Sequence, residues 1–338
     1  MAGSATRPTR DATRDDVAKL AGVSSAVVSY VVNDGPRPVA QATRQRVQEA
    51  IEKLGYRPNA AARALITGRS DLIGLIVPDI RNPYFAALAQ AAEEAARAQS
   101  VNLVLAQGST GSLQSLVESL TGHRVAGIIT ATVPEPSAVA LILRNRIPLV
   151  RLSLAMPSES PAIWPDYAGG ARSAVRHLVE VHGHRRVALV MGSDHPEWPE
   201  ESVDGRERGW RDALEDAGLT TEHVVRVHWS AAGGREAAHR LLSEHPAATA
   251  VFTSSDQQAI GLLAGLHSAG RSLPGDLAIA SFDGSPDAEF TVPPLTTVDV
   301  PLAAMATAAI AEALGVPSPG GSYPTHLVLR RSCGCELT

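Results

Sequence analysis

Residues Thr13 to Leu65 set helix starts and helix stops so close together that the segment can fold only as short helices joined by tight turns. Thr13 offers a capping oxygen, and Asp16, three residues on, can return its carboxylate to the cap. Val17, Ala18, Leu20 and Ala21 then supply the apolar face of a first helix, and Gly22 stands where a left-handed turn residue is needed. Ser24 caps a second helix through Val32, with Val27, Val28 and Val31 turned inward and Ser25, Ala26, Ser29 and Tyr30 outward. Asn33-Asp34-Gly35-Pro36 ends it with turn chemistry. A third helix, with Val47, Ala50, Ile51 and Leu54 inward, stops at Gly55; Ala40 gives its start no capping side chain. Three such helices with a tight turn between the first two make a helix-turn-helix, whose second helix enters the DNA major groove.

Charge is distributed accordingly. The 338 residues carry a net charge of −5. The first 70 hold eleven Lys and Arg against six Asp and Glu, and the remainder 19 against 29. A basic head on an acidic body suits one end that meets phosphates and a body that repels them. The stretch Asn59 to Arg69 is short and alanine-rich, a marginal helix in water by itself.

Beyond Asp71 apolar runs alternate with amphipathic stretches. Strands are predicted at Ile73–Val77, Val101–Leu105, Gly127–Thr130, Pro148–Leu152, Val187–Met191, Val224–His228, Ala250–Thr253 and Leu277–Phe282. Helices are predicted near Pro83–Gln99, Ser112–Leu120, Arg172–Val181, Gly205–Ala217, Gly233–Ser243, Gln257–Ala269 and Leu302–Leu314. Buried strands alternating with helices imply an α/β body with parallel sheets covered on both faces. Two series of them imply two lobes, with ligands bound beyond the strand carboxyl ends, in the cleft.

The motif Asp16-Val17-Ala18-Lys19-Leu20-Ala21-Gly22-Val23-Ser24, followed by Ser29, Asn33, Thr43-Arg44, Arg46-Val47, Ala50-Ile51 and Tyr56-Arg57-Pro58-Asn59, resembles the LacI/GalR (lactose-repressor/galactose-repressor) family of bacterial transcriptional regulators. The resemblance runs from about Thr13 to Ser332. It implies a helix-turn-helix head over 13–58 after a tail at 1–12, a hinge helix over 59–69, and a periplasmic-binding-protein-like effector and dimerisation core over 70–332. Lobe one is expected at about 72–163 plus 296–325, lobe two at about 164–295 plus 326–332, and a tail at 333–338. The implied function is a cytoplasmic, nucleoid-associated repressor. It binds double-stranded operator DNA as a homodimer and answers to a sugar-like effector between the lobes. Thr13, Ser24, Ser25, Ala26, Ser29, Tyr30, Asn33, Asn59, Ala62 and Leu65 fall at the family's DNA-contact positions, Leu65 at that of a leucine wedged into the minor groove. Small Ser25 and Ala26 offer little bidentate base readout, and Tyr30 stands where arginine is frequent.

The same resemblance places Tyr84, Phe85, Arg206, Trp229, Ser255, Asp256 and Asp283 at effector contacts. An aromatic wall, a forked donor and carboxylate acceptors suit a polyhydroxylated ligand. Each residue also has an ordinary reading: helix packing for Tyr84 and Phe85, a salt bridge for Arg206, core for Trp229, turn chemistry for Asp283. Ser255 stands where the family often has Asn, and Asp256 serves equally as a helix cap.

Other classes have little support. No phosphate loop, dinucleotide fingerprint or Ser-His-Asp spacing occurs, so neither catalysis nor a cofactor is expected. Met1 to Asp11 lacks the apolar run of a secretory signal. Cys333 and Cys335 are two ligands, too few for a zinc site unless two chains share one; they are read as a reduced, flexible tail. His177, His182 and His184 read as a helix stop.

Overall fold

The computed structural model describes residues 12–32, 35, 37–57, 70–108, 112–152, 160–193 and 204–336. It divides into two compact units, residues 1–70 and 71–338.

The first unit is the helical head, α1 (Arg14–Ala21), α2 (Ser25–Val32) and α3 (Gln41–Leu54). Thr13 and Asp16 form a reciprocal cap: the Asp16 N–H donates to Thr13 Oγ1 at 3.3 Å and the Thr13 N–H to Asp16 Oδ2 at 2.9 Å. Gly22, at φ 65°, closes α1 in the left-handed conformation, which L side chains adopt at a cost. The Val27 N–H reaches Ser24 Oγ at 3.4 Å, and Ala40 gives α3 no side-chain cap. Val17, Ala18, Ala21, Val28, Val31, Val47 and Ala50 make the core. Two inward assignments fail: Leu20 is 46% exposed and Leu54 36%. Leu20 lies about 60° of helical rotation outside the arc of Val17, Ala18 and Ala21, and Leu54 is the last residue of α3.

The second unit carries two six-stranded sheets. One contains β1 (Leu72–Val77), β2 (Asn102–Gln107), β3 (Gly127–Thr130), β4 (Leu149–Leu152), β5 (Ala162–Pro165) and β11 (Gly321–Tyr323), in the order β11-β5-β4-β3-β1-β2 and parallel throughout. The other contains β6 (Val187–Gly192), β7 (Val224–Val227), β8 (Ala250–Thr253), β9 (Ala278–Asp283), β10 (Thr296–Asp299) and β12 (His326–Val328), in the order β12-β10-β9-β8-β6-β7. Among the described residues only β12 runs antiparallel to its neighbour. The helices are α4 (Pro83–Ala98), α5 (Leu113–Gly122), α6 (Pro136–Arg144), α7 (Tyr167–Arg176), α8 (Gly205–Asp216), α9 (Ala231–Glu244), α10 (Asp256–Ser268) and α11 (Leu302–Ala313). Trp210 pins α8 to sheet two, fully buried with its Nε1–H donating to the Val187 carbonyl at 3.2 Å.

The chain passes between the sheets after β5, after β10 and between β11 and β12. Two of these passages differ from the expected lobe limits. β5 holds to sheet one through Pro165, and β10 belongs to sheet two, so residues 296–299 leave the lobe assigned to them. Thr296 and Thr297 are buried with their hydroxyls bonded to the Arg330 carbonyl (2.8 Å) and to Asp256 Oδ1 (2.6 Å), so polar residues form a core strand there. β2, expected as a buried run, is an edge strand with Val104 and Leu105 exposed. The carboxyl end is also unlike a flexible tail: Cys333 is buried, and the Ser332 hydroxyl donates to the Ile279 carbonyl at 2.7 Å.

Candidate functional site

Residues from four loops of lobe two converge where its strands end. Arg206 stands in the first turn of α8, and Asp204, the N-cap of that helix, holds it. Asp204 Oδ1 accepts from the Arg206 backbone N–H (2.8 Å) and Nε (3.0 Å), and Oδ2 accepts from Nη2 (2.9 Å). Nη1 donates to the Ser254 carbonyl at 3.1 Å. The pair is buried, with side-chain exposures of 11% and 4%. Burial works against the Arg206 charge, but Asp204 outweighs it and holds the guanidinium above its usual pKa range.

Aromatic rings enclose this cation. The guanidinium carbon lies 4.6 Å from the Tyr167 ring centroid, 4.6 Å from that of Trp229 and 5.7 Å from that of Phe282. Trp229 follows β7 and lies flat on Gly192, the last residue of β6, where a Cβ would stand 1.8 Å from the ring. Only glycine permits that approach. Tyr167 opens α7 and packs on Phe282 at 5.6 Å between centroids; burial pushes its phenol well above the usual pKa, and Tyr84 adds to the shift.

Two carboxyl groups complete the cluster. Asp283 ends β9 with φ 121°, strained for a side chain with a Cβ, and is 7% exposed. Asp256, at the start of α10, is fully buried; Oδ1 accepts from Thr297 Oγ1 at 2.6 Å and Oδ2 from the Ser285 N–H at 2.7 Å. Burial raises Asp256 to about 6. Asp283 is raised well above its ordinary value by burial and by the charge of Asp256 beside it. The helix cap is Ser255, whose Oγ accepts from the Gln258 N–H at 3.2 Å. Asp256 instead ties α10 to β10 and to the turn after β9.

Lobe one contributes the start of α4. Asn82 caps it by accepting from the Tyr84 N–H at 3.0 Å, and Tyr84 is buried edge-on against Phe85 at 5.1 Å. Asp79, on the same loop, is lowered by its hydrogen bonds from Arg81, with a smaller effect from His228 of lobe two. Arg206, Trp229 and Asp283 are thus brought together, with Asp256 behind Asp283. Tyr167, Asp204, Ser254 and Phe282 complete the cluster without having been singled out. Asp204 had a usable signal, an acid just before a helix; Tyr167 had none.

In the head, Ser24, just before α2, and Ala26 on it are exposed, and Ser29 and Tyr30 half-buried. Ser25 Oγ donates to Asp15 Oδ1 of α1 at 2.5 Å, which fixes the start of α2. Asn33, Asn59, Ala62 and Leu65 lie outside the described residues.

Residues 13–59 match the family described as bacterial regulatory proteins, lacI family, and residues 175–333 match the periplasmic binding protein-like domain. Catabolite control protein A of Priestia megaterium is 34% identical over 85% of this chain and 87% of its own length. The regulator MalR of Streptomyces coelicolor is 34% identical over 94% and 95%. The chain belongs to the LacI family of bacterial transcriptional regulators. Like its relatives, this LacI-family member is a DNA-binding regulator and not an enzyme. Among solved structures, the lac repressor dimer bound to operator and an anti-inducer is similar with a TM-score of 0.82 at 26% identity, over 96% of this chain and 99% of that one. A complex of the regulator CelR with cellobiose is similar with a TM-score of 0.69 at 30% identity, over 95% and 99%. Among the described residues no helix is long and apolar enough to cross a membrane.

Proposed function

We propose that this regulator is a homodimeric, cytoplasmic and nucleoid-associated repressor whose grip on a pseudo-palindromic operator is set by a sugar-class effector held between the lobes. The observation that carries the reading is the buried cluster of Arg206, Asp204, Asp256 and Asp283 walled by Tyr167, Trp229 and Phe282. Among the described residues Asp204 takes two of the guanidinium's five N–H groups and the Ser254 carbonyl a third, and the other two are offered to a ligand. Asp204 pairs with this one cation and Asp283 also acts on it, with Asp256 behind Asp283, so carboxyl oxygens outnumber cations in the cluster. It suits a neutral ligand with many hydroxyl donors better than an anion, and the rings suit the C–H face of a sugar. The CelR complex with cellobiose and a LacI-family complex with ribose from Enterococcus faecium are consistent with that class.

Dimerisation is supported by apolar exposure. Phe290 is 79% exposed and Val292 90%, and edge strand β2 presents Val104 and Leu105. In the proposed dimer these side chains are covered by the partner. A dimer's symmetry matches two operator half-sites, with Asn59, Ala62 and Leu65 meeting the minor groove between them. Lobe closure on an effector alters how the two hinges meet.

Titration calorimetry against a panel of pentoses, hexoses and disaccharides, with anisotropy on an operator selected from genomic fragments, tests the proposal. Heat with one member of the panel and a change in operator affinity with that same sugar are expected. A well-folded protein that prefers no genomic locus, with or without every sugar in the panel, would reject it.

A further inference from the structure

The carboxyl-terminal Cys-Gly-Cys meets two histidines that lie more than 150 residues earlier in the chain. α7 ends in a widened turn, His177–Val181, whose five-residue hydrogen-bonding ring is the kind often found at functional sites. It sets His177 and His182 ring to ring, with centroids 4.8 Å apart at 75°. Opposite them a single helical turn, Arg331–Cys333, is locked on sheet two by Ser332: its N–H donates to the Pro294 carbonyl at 2.9 Å, and its hydroxyl accepts from the Thr296 N–H at 2.8 Å. Gly334, at φ 104°, then turns the chain back, and the His182 ring sits 3.3 Å from where a Cβ would stand. Both cysteines are free thiols.

The distances are those of a ligand shell. His177 Nε2 lies 3.1 Å from His182 Nε2, 3.6 Å from Cys333 Sγ and 3.4 Å from Cys335 Sγ; Cys335 Sγ lies 3.5 Å from His182 Nε2. All four ligand atoms fall within 4.8 Å of one another. Two nitrogens and two thiolates arranged tetrahedrally about one ion, at about 2.0–2.1 and 2.3 Å, sit roughly 3.3–3.8 Å apart. Protons alone would have to be shared among four atoms crowded at one point, whereas an ion accepts an electron pair from each.

We propose that His177, His182, Cys333 and Cys335 form a closed Cys2His2 zinc site within one chain, stapling the carboxyl terminus to the end of α7. Four protein ligands leave no open position, which marks a structural ion and not a catalytic one. Two thiolates and two imidazoles in this geometry select Zn(II) among the common divalent ions. Binding replaces two S–H bonds by two S–Zn bonds; the two protons go to solvent, and no electron is transferred. The Thr296 hydroxyl lies 2.8 Å from the Arg330 carbonyl and 3.1 Å from Cys333 Sγ, so its single proton can turn from the carbonyl to the bound thiolate. His184 stands outside the shell, its Nδ1 3.1 Å from Thr249 Oγ1.

The test uses the full chain, with any tag removed, reduced and stripped by a chelator, then titrated with Co(II) alone. One Co(II) per chain is expected, with the intense visible bands of tetrahedral coordination and a thiolate-to-cobalt charge-transfer band. Zn(II) should bleach both at one equivalent with no further proton release, whereas Zn(II) added directly to the stripped chain should release two protons per ion. Cys335→Ser and His182→Gln should each weaken Zn(II) binding tenfold or more, since even a residue behind the ligands is worth about 10–100-fold; His184→Gln should leave it unchanged. Weak octahedral bands without charge transfer, or binding unaffected by Cys335→Ser, would overturn the proposal. Should the variants fold poorly, the wild-type chain decides. Chelation must lower its melting midpoint and one equivalent of Zn(II) restore it, and an unmoved midpoint rejects the site.

Discussion

Asp204→Asn removes one charge from the centre of the cleft while keeping the shape of the side chain. The amide oxygen can still accept from the Arg206 backbone N–H, so the start of α8 survives. What is lost is the carboxylate facing Nε and Nη2 of a guanidinium that is 11% exposed. Leaving one member of a buried ion pair unmatched costs about 3–5 kcal/mol. The stacking on Tyr167 and Trp229 and the bond to the Ser254 carbonyl persist, which favours the lower end. For the unit spanning residues 71–338, an unfolding entropy of about 2.1 cal/mol/K per residue converts about 3 kcal/mol into a fall of about 5 °C in the melting midpoint. Scanning calorimetry of the full chain reads it. The internal control is Asp216→Asn, which removes the partner of Arg172 in a pair about half exposed on each side. Such a pair is worth at most about 1 kcal/mol, or under about 2 °C. A midpoint for Asp204→Asn no lower than that for Asp216→Asn would refute the claim that this ion pair organises the cleft.

Gly192→Ala should drive the Trp229 ring off its seat, because the new methyl would stand 1.8 Å from it; an altered tryptophan emission with weakened effector binding is expected, and unchanged affinity would remove Trp229 from the wall. The pH dependence follows from Asp256, whose folded pKa is raised to about 6 from an ordinary 3.8. The folded state keeps a proton that the unfolded chain has released, so this group's contribution is fully present below about 3.8 and is lost as pH rises through about 6. Relative to Asp256→Asn, the wild-type chain should therefore lose stability between about pH 4 and 6 in urea titrations, and a flat difference would show that the carboxyl is solvated. Leu65→Ala should weaken operator binding while leaving non-specific DNA binding intact; equal loss of both would reject the minor-groove wedge.

The head could be read from sequence because its signals are local. A threonine cap answered three residues later and two glycines at positive φ fix three helices without reference to the rest of the chain. The body's buried runs were equally legible as strands, since β1, β3, β6, β8 and β9 are apolar almost throughout. What escaped depends on partners distant in sequence. β10 is a core strand because Asp256 and the Arg330 carbonyl satisfy its two threonines, and β11 and β12 are three residues each, too short to carry a pattern. In the cleft, Arg206, Trp229 and Asp283 were marked by resemblance, while Tyr167 reaches Arg206 only through the packing of α7 beside α8. The four-ligand cluster was hidden for the same reason: His177 and Cys333 are 156 residues apart.

The most direct test of the regulatory account is the operator dissociation constant measured by fluorescence anisotropy, with and without saturating effector, for the wild-type chain and for Asp283→Ala. The account expects the effector to shift operator affinity by about 5–150-fold in the wild type, the range that a coupling of about 1–3 kcal/mol gives, and to leave it unchanged in Asp283→Ala, whose effector-free affinity stays at the wild-type value. A shift of the same size in both proteins would contradict it.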